Sequence, residues 1–344
     1  MAQIDKPNLH FNTKLYTGNG SSGNAITGVG FQPDWVWIKN RTDSASHNLY
    51  DAVRGTSAGK LKSNNNSAQS YNAQDLSVFG TDGFTVGSNN EVNGSGDNMV
   101  AWNWKAGTTS GLSGGTITPS AYSINTTAGF GIYKYSGNAT AGATIAHGLG
   151  AKPHLILVKI LNTTDNWCGY HTSLGATKRF ELNNSTTPTT STTLWNDTEP
   201  TSTVFSLGTN GQVNGSGNTY IAYVFTEKVG YSKFGSYKGN SSTDGTFVYT
   251  GFKPKFIYLR NTSNGNRGVM YDNKRLGYNP NNYSLGADVD LAEESSSWTL
   301  IDTYSNGFKC RSTDGSQNAN NNVYIYMAFG QSLVGSNNVP CTAR

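Results

Sequence analysis

The chain has 344 residues, a net charge of +4 and only 13% charged residues, about half the usual share for a globular protein. The few charges form no basic patch, which argues against nucleic-acid binding, and no run reaches the roughly 18–20 apolar residues that cross a bilayer. Three cysteines, Cys168, Cys310 and Cys341, with no CxxC pair, exclude a disulfide framework and a cysteine zinc site.

In chain order, residues 1–10 show no secretory apolar run and read as an N-terminal arm. Residues 11–107 form a first unit with four anchors. These are Tyr16-Thr-Gly-Asn19, then Gly30-Phe-Gln-Pro33 leading into the apolar run Trp35–Lys39, then Tyr50-Asp51, then a Phe strand from Phe84 and a closing strand to Trp104. Residues 108–128, rich in Gly, Ser and Thr, read as a flexible linker.

The same anchors recur in residues 129–228, as Tyr135-Ser-Gly-Asn138, Gly150-Ala-Lys-Pro153, Tyr170-His171, and Phe205 to Phe225. They recur again in residues 229–330, as Tyr237-Lys-Gly-Asn240, Gly251-Phe-Lys-Pro254, Tyr271-Asp272, and Phe308 to Phe329. Spacing between matching anchors holds to within two residues, so the chain reads as one unit repeated three times. Copies one and two share the loops Val92-Asn-Gly-Ser-Gly96 and Val213-Asn-Gly-Ser-Gly217, which copy three replaces with an Asn-rich stretch, Asn318–Asn322. Residues 331–344 read as a tail.

The run after each Gly-x-x-Pro has apolar residues in both phases of a two-residue period: Trp35 and Trp37 against Val36 and Ile38, Leu155 and Leu157 against Ile156 and Val158. Such a strand is covered on both faces. Its terminal Lys39, Lys159 or Arg260 reads as the exit into solvent. In the closing strands Val100, Trp102 and Trp104 alternate with Ala101 and Asn103, as expected for a sheet with one core face. Asn-Gly and Asp-Gly turns separate short strands, and no long 3.6-residue apolar period appears. The expected fold is all-β, as three tandem antiparallel β-sandwich modules of jelly-roll, concanavalin-like type.

No catalytic constellation stands out. The carboxylates show no paired spacing of the kind glycosidases need, and the five histidines, His10, His47, His147, His154 and His171, show no metal-ligand spacing. The expectation is a protein without enzymatic activity or cofactor. Loop residues such as Asp288, Asp290 and Asp314 lack the EF-hand pattern, so structural calcium has no support. For surface binding the candidate residues are the loop Trp195-Asn196-Asp197, the loop residues Asn93 and Asn214, and Tyr71 and Tyr122, since sugars are held by aromatic platforms with amide and carboxylate partners.

The phrases Gly28-Val-Gly-Phe-Gln-Pro-Asp-Trp-Val-Trp-Ile-Lys-Asn40, Tyr50-Asp-Ala-Val-Arg-Gly55, Asp82-Gly-Phe-Thr-Val-Gly-Ser88 and Val100-Ala-Trp-Asn-Trp-Lys105, with their counterparts in the later copies, resemble a family of tandem-module virion proteins of tailed marine bacteriophages. The resemblance spans nearly the whole chain. It implies lectin-like modules of tail fibres or other appendages, assembled in the host cytoplasm into the virion. The implied partners are other virion proteins, further copies of the chain and host-surface glycans, with neither nucleic acid nor membrane insertion. A capsid or tail decoration protein is the alternative, and a glycan depolymerase comes third.

Overall fold

A computed structural model describes residues 3–295 and 300–334. Cys341 and most of the expected tail lie outside the described residues. The chain is all-β with antiparallel pairing throughout its sheets, and its helices are single turns.

Three large sheets share one strand plan. In the first, the order is Phe11–Thr17, Asn98–Trp104, Trp35–Asn40, Asn48–Asp51 and Leu61–Lys62. The second places Phe130–Ser136, Thr219–Phe225, Leu155–Ile160, Cys168–His171 and Lys178–Glu181 in the same order, and the third repeats it with Ser232–Lys238, Val323–Gly330, Pro254–Asn261, Val269–Asp272 and Tyr283–Gly286. Each anchor thus has a place. The Tyr-x-Gly-Asn strand pairs with the closing strand, which pairs with the strand after Gly-x-x-Pro.

One face of each large sheet is covered by a small antiparallel sheet. In the first case it comprises Asn24–Thr27, Gly83–Val86 and Leu76–Gly80. Val36, Ile38, Tyr50 and Ala101 meet Ile26, Leu76 and Phe84 in the core between them, and comparable cores lie under the other two. The opposite faces of all three large sheets converge on one shared core that holds Trp35, Trp37, Trp102, Trp104, Tyr223, Phe225, Phe256 and Phe329. The two phases of the Trp35–Ile38 alternation therefore enter two different cores. The small residues of the closing strands, expected on a solvent face, are buried too.

The large sheets meet in cyclic order. Rings stack across the joints: Trp35 on Tyr223 with centroids 4.6 Å apart, Phe11 on Phe329 at 5.2 Å, and Phe225 edge-on to Phe329 at 5.8 Å. Buried aromatic pairs of this kind contribute about 0.5–1.5 kcal/mol each beyond their area.

The charged ends of the central strands do not exit into solvent. Lys39, Lys159 and Arg260 are buried, and each finds carbonyl oxygens there, from loops of neighbouring sheets for Lys159 and Arg260 and from its own strand end and loop for Lys39. Lys159 Nζ donates to Asn66 of the first sheet's loop at 3.2 Å, and Arg260 donates to Asn184 and to Thr186 (2.6 Å) of the second sheet's loop. Lys39 donates to Asn40 and Asp43, and beside it Arg41 joins Glu293 of the third at 2.6 Å. Burial lowers Lys39 and Lys159 to about 8.

Residues 108–128 are not a loose linker. Ile117 and Ile124 are apolar anchors in a Ser/Thr-rich stretch and are buried in the second sheet's outer core. Ala121–Asn125 adds an edge strand to Phe130–Ser136. The arm is pinned as well: Ile4 N–H donates to Val229 at 2.9 Å, and Asp5 accepts from Leu333 N–H at 2.9 Å, so both ends of the described chain meet at the join of the second and third sheets.

Candidate functional site

Asn93 and Asn214 are buried. Asn93 Oδ1 accepts from Asn19 N–H at 2.9 Å, and its amide donates to Asn19 Oδ1, Ser21 O and Gly87 O at 3.0, 2.9 and 2.7 Å. Asn214 does the same for Asn138, Thr140 and Gly208. Asn318, in the stretch that replaces the shared loop, does so for Asn240, Ser242 and Ser312. Each of these Asn staples the Tyr-x-Gly-Asn turn to the loop before the closing strand, and the Tyr completes it. Tyr16, Tyr135 and Tyr237 donate to Val92 O, Val213 O and Gln317 O, each at 2.7 Å. With the carbonyl oxygen and both N–H groups of each amide engaged inside the fold, Asn93 and Asn214 are structural and are not contact residues. This corrects their reading as surface contacts.

Trp195 is also internal. It is buried edge-on to Tyr170 at 6.0 Å, which leaves Asn196 half-buried and Asp197 exposed on the turn that follows, with φ of 55° and 48°. Tyr71 is exposed on a loop of the first sheet. Tyr122 is half-buried on the added edge strand, and its hydroxyl accepts from Leu112 N–H at 2.9 Å. The candidates that reach the surface thus lie on separate segments.

The surface feature missed in the sequence lies on the third small sheet. This sheet pairs Phe247–Tyr249 with Gly307–Cys310 and Ile301–Tyr304. Val248 and Phe308 point inward, and Phe247, Tyr249 and Tyr304 are 43%, 65% and 39% exposed. Across the strands, one row is Tyr249, Gly307, Tyr304 and the next is Phe247, Lys309, Asp302. Phe247 meets Tyr304 edge-on at 5.9 Å and leans over Gly307, where a Cβ would touch its ring. Lys309 and Arg311 pair with Asp244, and Arg311 also with Asp302 at 3.2 Å. The result is an aromatic strip beside a row of charged hydrogen-bonding groups. Its signal was the exposed phase of Phe247-Val248-Tyr249, a short alternation that also suits an ordinary strand.

A second concave feature lies where the added edge strand approaches the first large sheet. This groove of about 530 Å³ has Gln32, Asp34, Val53 and Lys105 on one bank and Tyr122 and Ser123 on the other.

The other reactive groups are buried or half-buried. Burial lowers all five histidines, His171 to about 4. It raises the free thiols of Cys168 and Cys310, the latter to about 12. Among the described residues no three His, Cys, Asp or Glu side chains converge as a metal site, and no helix is long and apolar enough to cross a membrane.

No curated protein and no solved structure matches the chain. A family model described as a domain of unknown function (DUF7483) matches residues 6–332, which takes in all three large sheets and the core they share, and the chain belongs to this family.

Proposed function

We propose that the chain is a non-enzymatic virion protein of a tailed phage. In this reading, three tandem concanavalin-like sandwich modules close around a common core, and the outer surface recognises glycans on the host. The observation that carries the recognition role is the strip of Phe247, Tyr249 and Tyr304 beside Asp302, Lys309 and Arg311. Sugar rings offer an apolar C–H face to aromatic side chains and hydroxyls to charged neighbours. The strip supplies both on a rigid sheet, where few side chains lose freedom on binding. The virion assignment rests on the sequence resemblance. The repeated closed core supports a durable particle component, since the shared core lies apart from the exposed strip.

The second reading is a decoration protein that packs the same strip against other virion proteins, because an exposed apolar patch also fits a protein partner. One experiment separates the two. The purified chain and its Tyr249→Ala/Tyr304→Ala variant are applied to a glycan array, and antibody-labelled particles are imaged. Tail labelling with glycan binding lost in the variant supports recognition. Head labelling without glycan binding supports decoration, and absence from particles overturns both.

A further inference from the structure

Ala121–Asn125 has no counterpart in the other two large sheets as described. It lies against the corner before Trp35, and the groove floored by Asp34 lies between them. We propose that this groove is a second binding site, for a neutral oligosaccharide, with the Asp34 carboxylate as acceptor for sugar hydroxyls. The proposal rests on the glycan-recognition reading above and adds a separate place on the molecule.

Asp34 is only 6% exposed. Its Oδ2 accepts from Ala106 N–H at 2.7 Å, and its Oδ1 has Ser123 Oγ at a long 3.5 Å. Ser123, itself buried, is held by Gly107 N–H at 2.8 Å. A carboxylate offers about four lone-pair positions, so Asp34 keeps capacity for hydroxyl donors from the groove. Burial raises the pKa of Asp34 above the ordinary carboxylate value, as expected of a carboxylate short of donors.

The corresponding residues of the other sheets keep no such capacity. His154 Nδ1 accepts from Glu227 N–H at 3.1 Å, as Asp34 does from Ala106 N–H, but the ring then has no second acceptor, and Lys255 is a donor, bonded to Phe11 O and Asn12. The rest of the groove suits a polyol. The Tyr122 ring and Val53 give apolar walls, and Lys105 and Gln32 give donors at the rim. One carboxylate and one ammonium leave the lining neutral, which favours an uncharged sugar over an acidic one. The volume falls within the roughly 300–1,000 Å³ of small-molecule sites.

The test uses the full chain on an array of neutral and acidic oligosaccharides, followed by titration calorimetry with the strongest neutral binder. Lys105→Ala and Tyr122→Ala carry the test, and Asp34→Asn is added if circular dichroism shows it folded. The expected result is neutral-sugar binding weakened about tenfold by each groove variant. Unchanged affinity in Lys105→Ala and Tyr122→Ala overturns the groove. If Tyr249→Ala/Tyr304→Ala then abolishes binding, the recognition reading survives without it. Binding of acidic sugars alone overturns the assigned ligand, and no sugar binding by the native chain overturns both readings.

Discussion

The phenol of Tyr223 donates to the carboxylate of Asp51 at 2.7 Å, across 172 residues of chain and in a fully buried joint. The same carboxylate holds Arg54 at 2.6 Å. At the matching joint, Trp102 Nε1 donates to Asp272 at 3.1 Å, and Asp272 holds Arg275 at 2.6 Å. At the remaining joint the set is different: His171 replaces the Asp, Leu174 the Arg, and Met327 the donor. Ser173 N–H donates to His171 Nδ1 at 3.1 Å, so Nε2 carries the proton and donates to Tyr326 O at 3.2 Å. The polar group and its partner have changed together, because a buried Asp facing a thioether would lack a donor.

Tyr223→Phe removes one buried donor and leaves the Asp51–Arg54 pair in place. The expected loss is about 1–2 kcal/mol, read as a lower urea midpoint with an unchanged slope. No change in midpoint would show that this bond contributes nothing to the joint.

Arg54→Leu leaves Asp51 buried beside Tyr223 without its cation, and should cost about 3–5 kcal/mol. Asp51→His/Arg54→Leu/Tyr223→Met transplants the set found at the His171 joint and should cost less than half as much. A triple variant no more stable than Arg54→Leu would refute the co-substitution argument.

Acid should weaken the fold between pH 6.5 and 4. Burial holds folded His171 at about 4 against an ordinary 6.5, so the unfolded chain binds the proton first. Stability is full above pH 6.5, falls as pH drops through that window, and levels off below 4. The shift corresponds to about 3 kcal/mol, and the other four histidines act in the same direction. Denaturation series at pH 7.5 and 5.0 test this, and His171→Asn should show a smaller difference between them.

Asn93→Ala strips five hydrogen bonds from a buried turn and should cost about 2–4 kcal/mol, whereas Asn196→Gly, on a turn whose φ of 55° suits glycine, should stay within about 0.5 kcal/mol. Thermal melts of the two variants make the comparison. Equal melting temperatures would contradict the staple.

The all-β antiparallel character was legible because strand and turn chemistry is local. A strand apolar in both phases, as at Trp35–Ile38, announces cover on both faces but does not name what covers them. Hence the shared core was not foreseen, nor the burial of Lys39, Lys159 and Arg260, the last two of which meet carbonyl partners on the loop of another sheet. Asn93 and Asn214 misled for a related reason. An Asn in a Gly/Ser loop looks solvated until a turn some 70 residues away is brought against it. Ile117 and Ile124 were the readable exception, two apolar residues in a polar stretch that was taken for a linker by its composition.

Three separate, identical chains closing a ring would have to present the same outward face three times. Sheets joined in one chain escape that constraint, and the outward faces here have diverged. Where the third small sheet carries Phe247, Tyr249 and Tyr304, the matching register positions of the first are Ala25, Thr27 and Gly80. The aromatic strip is therefore monovalent. In the proposed virion role, any gain from multivalent attachment through the strip comes from how many chains are displayed together, and not from the threefold look of each one.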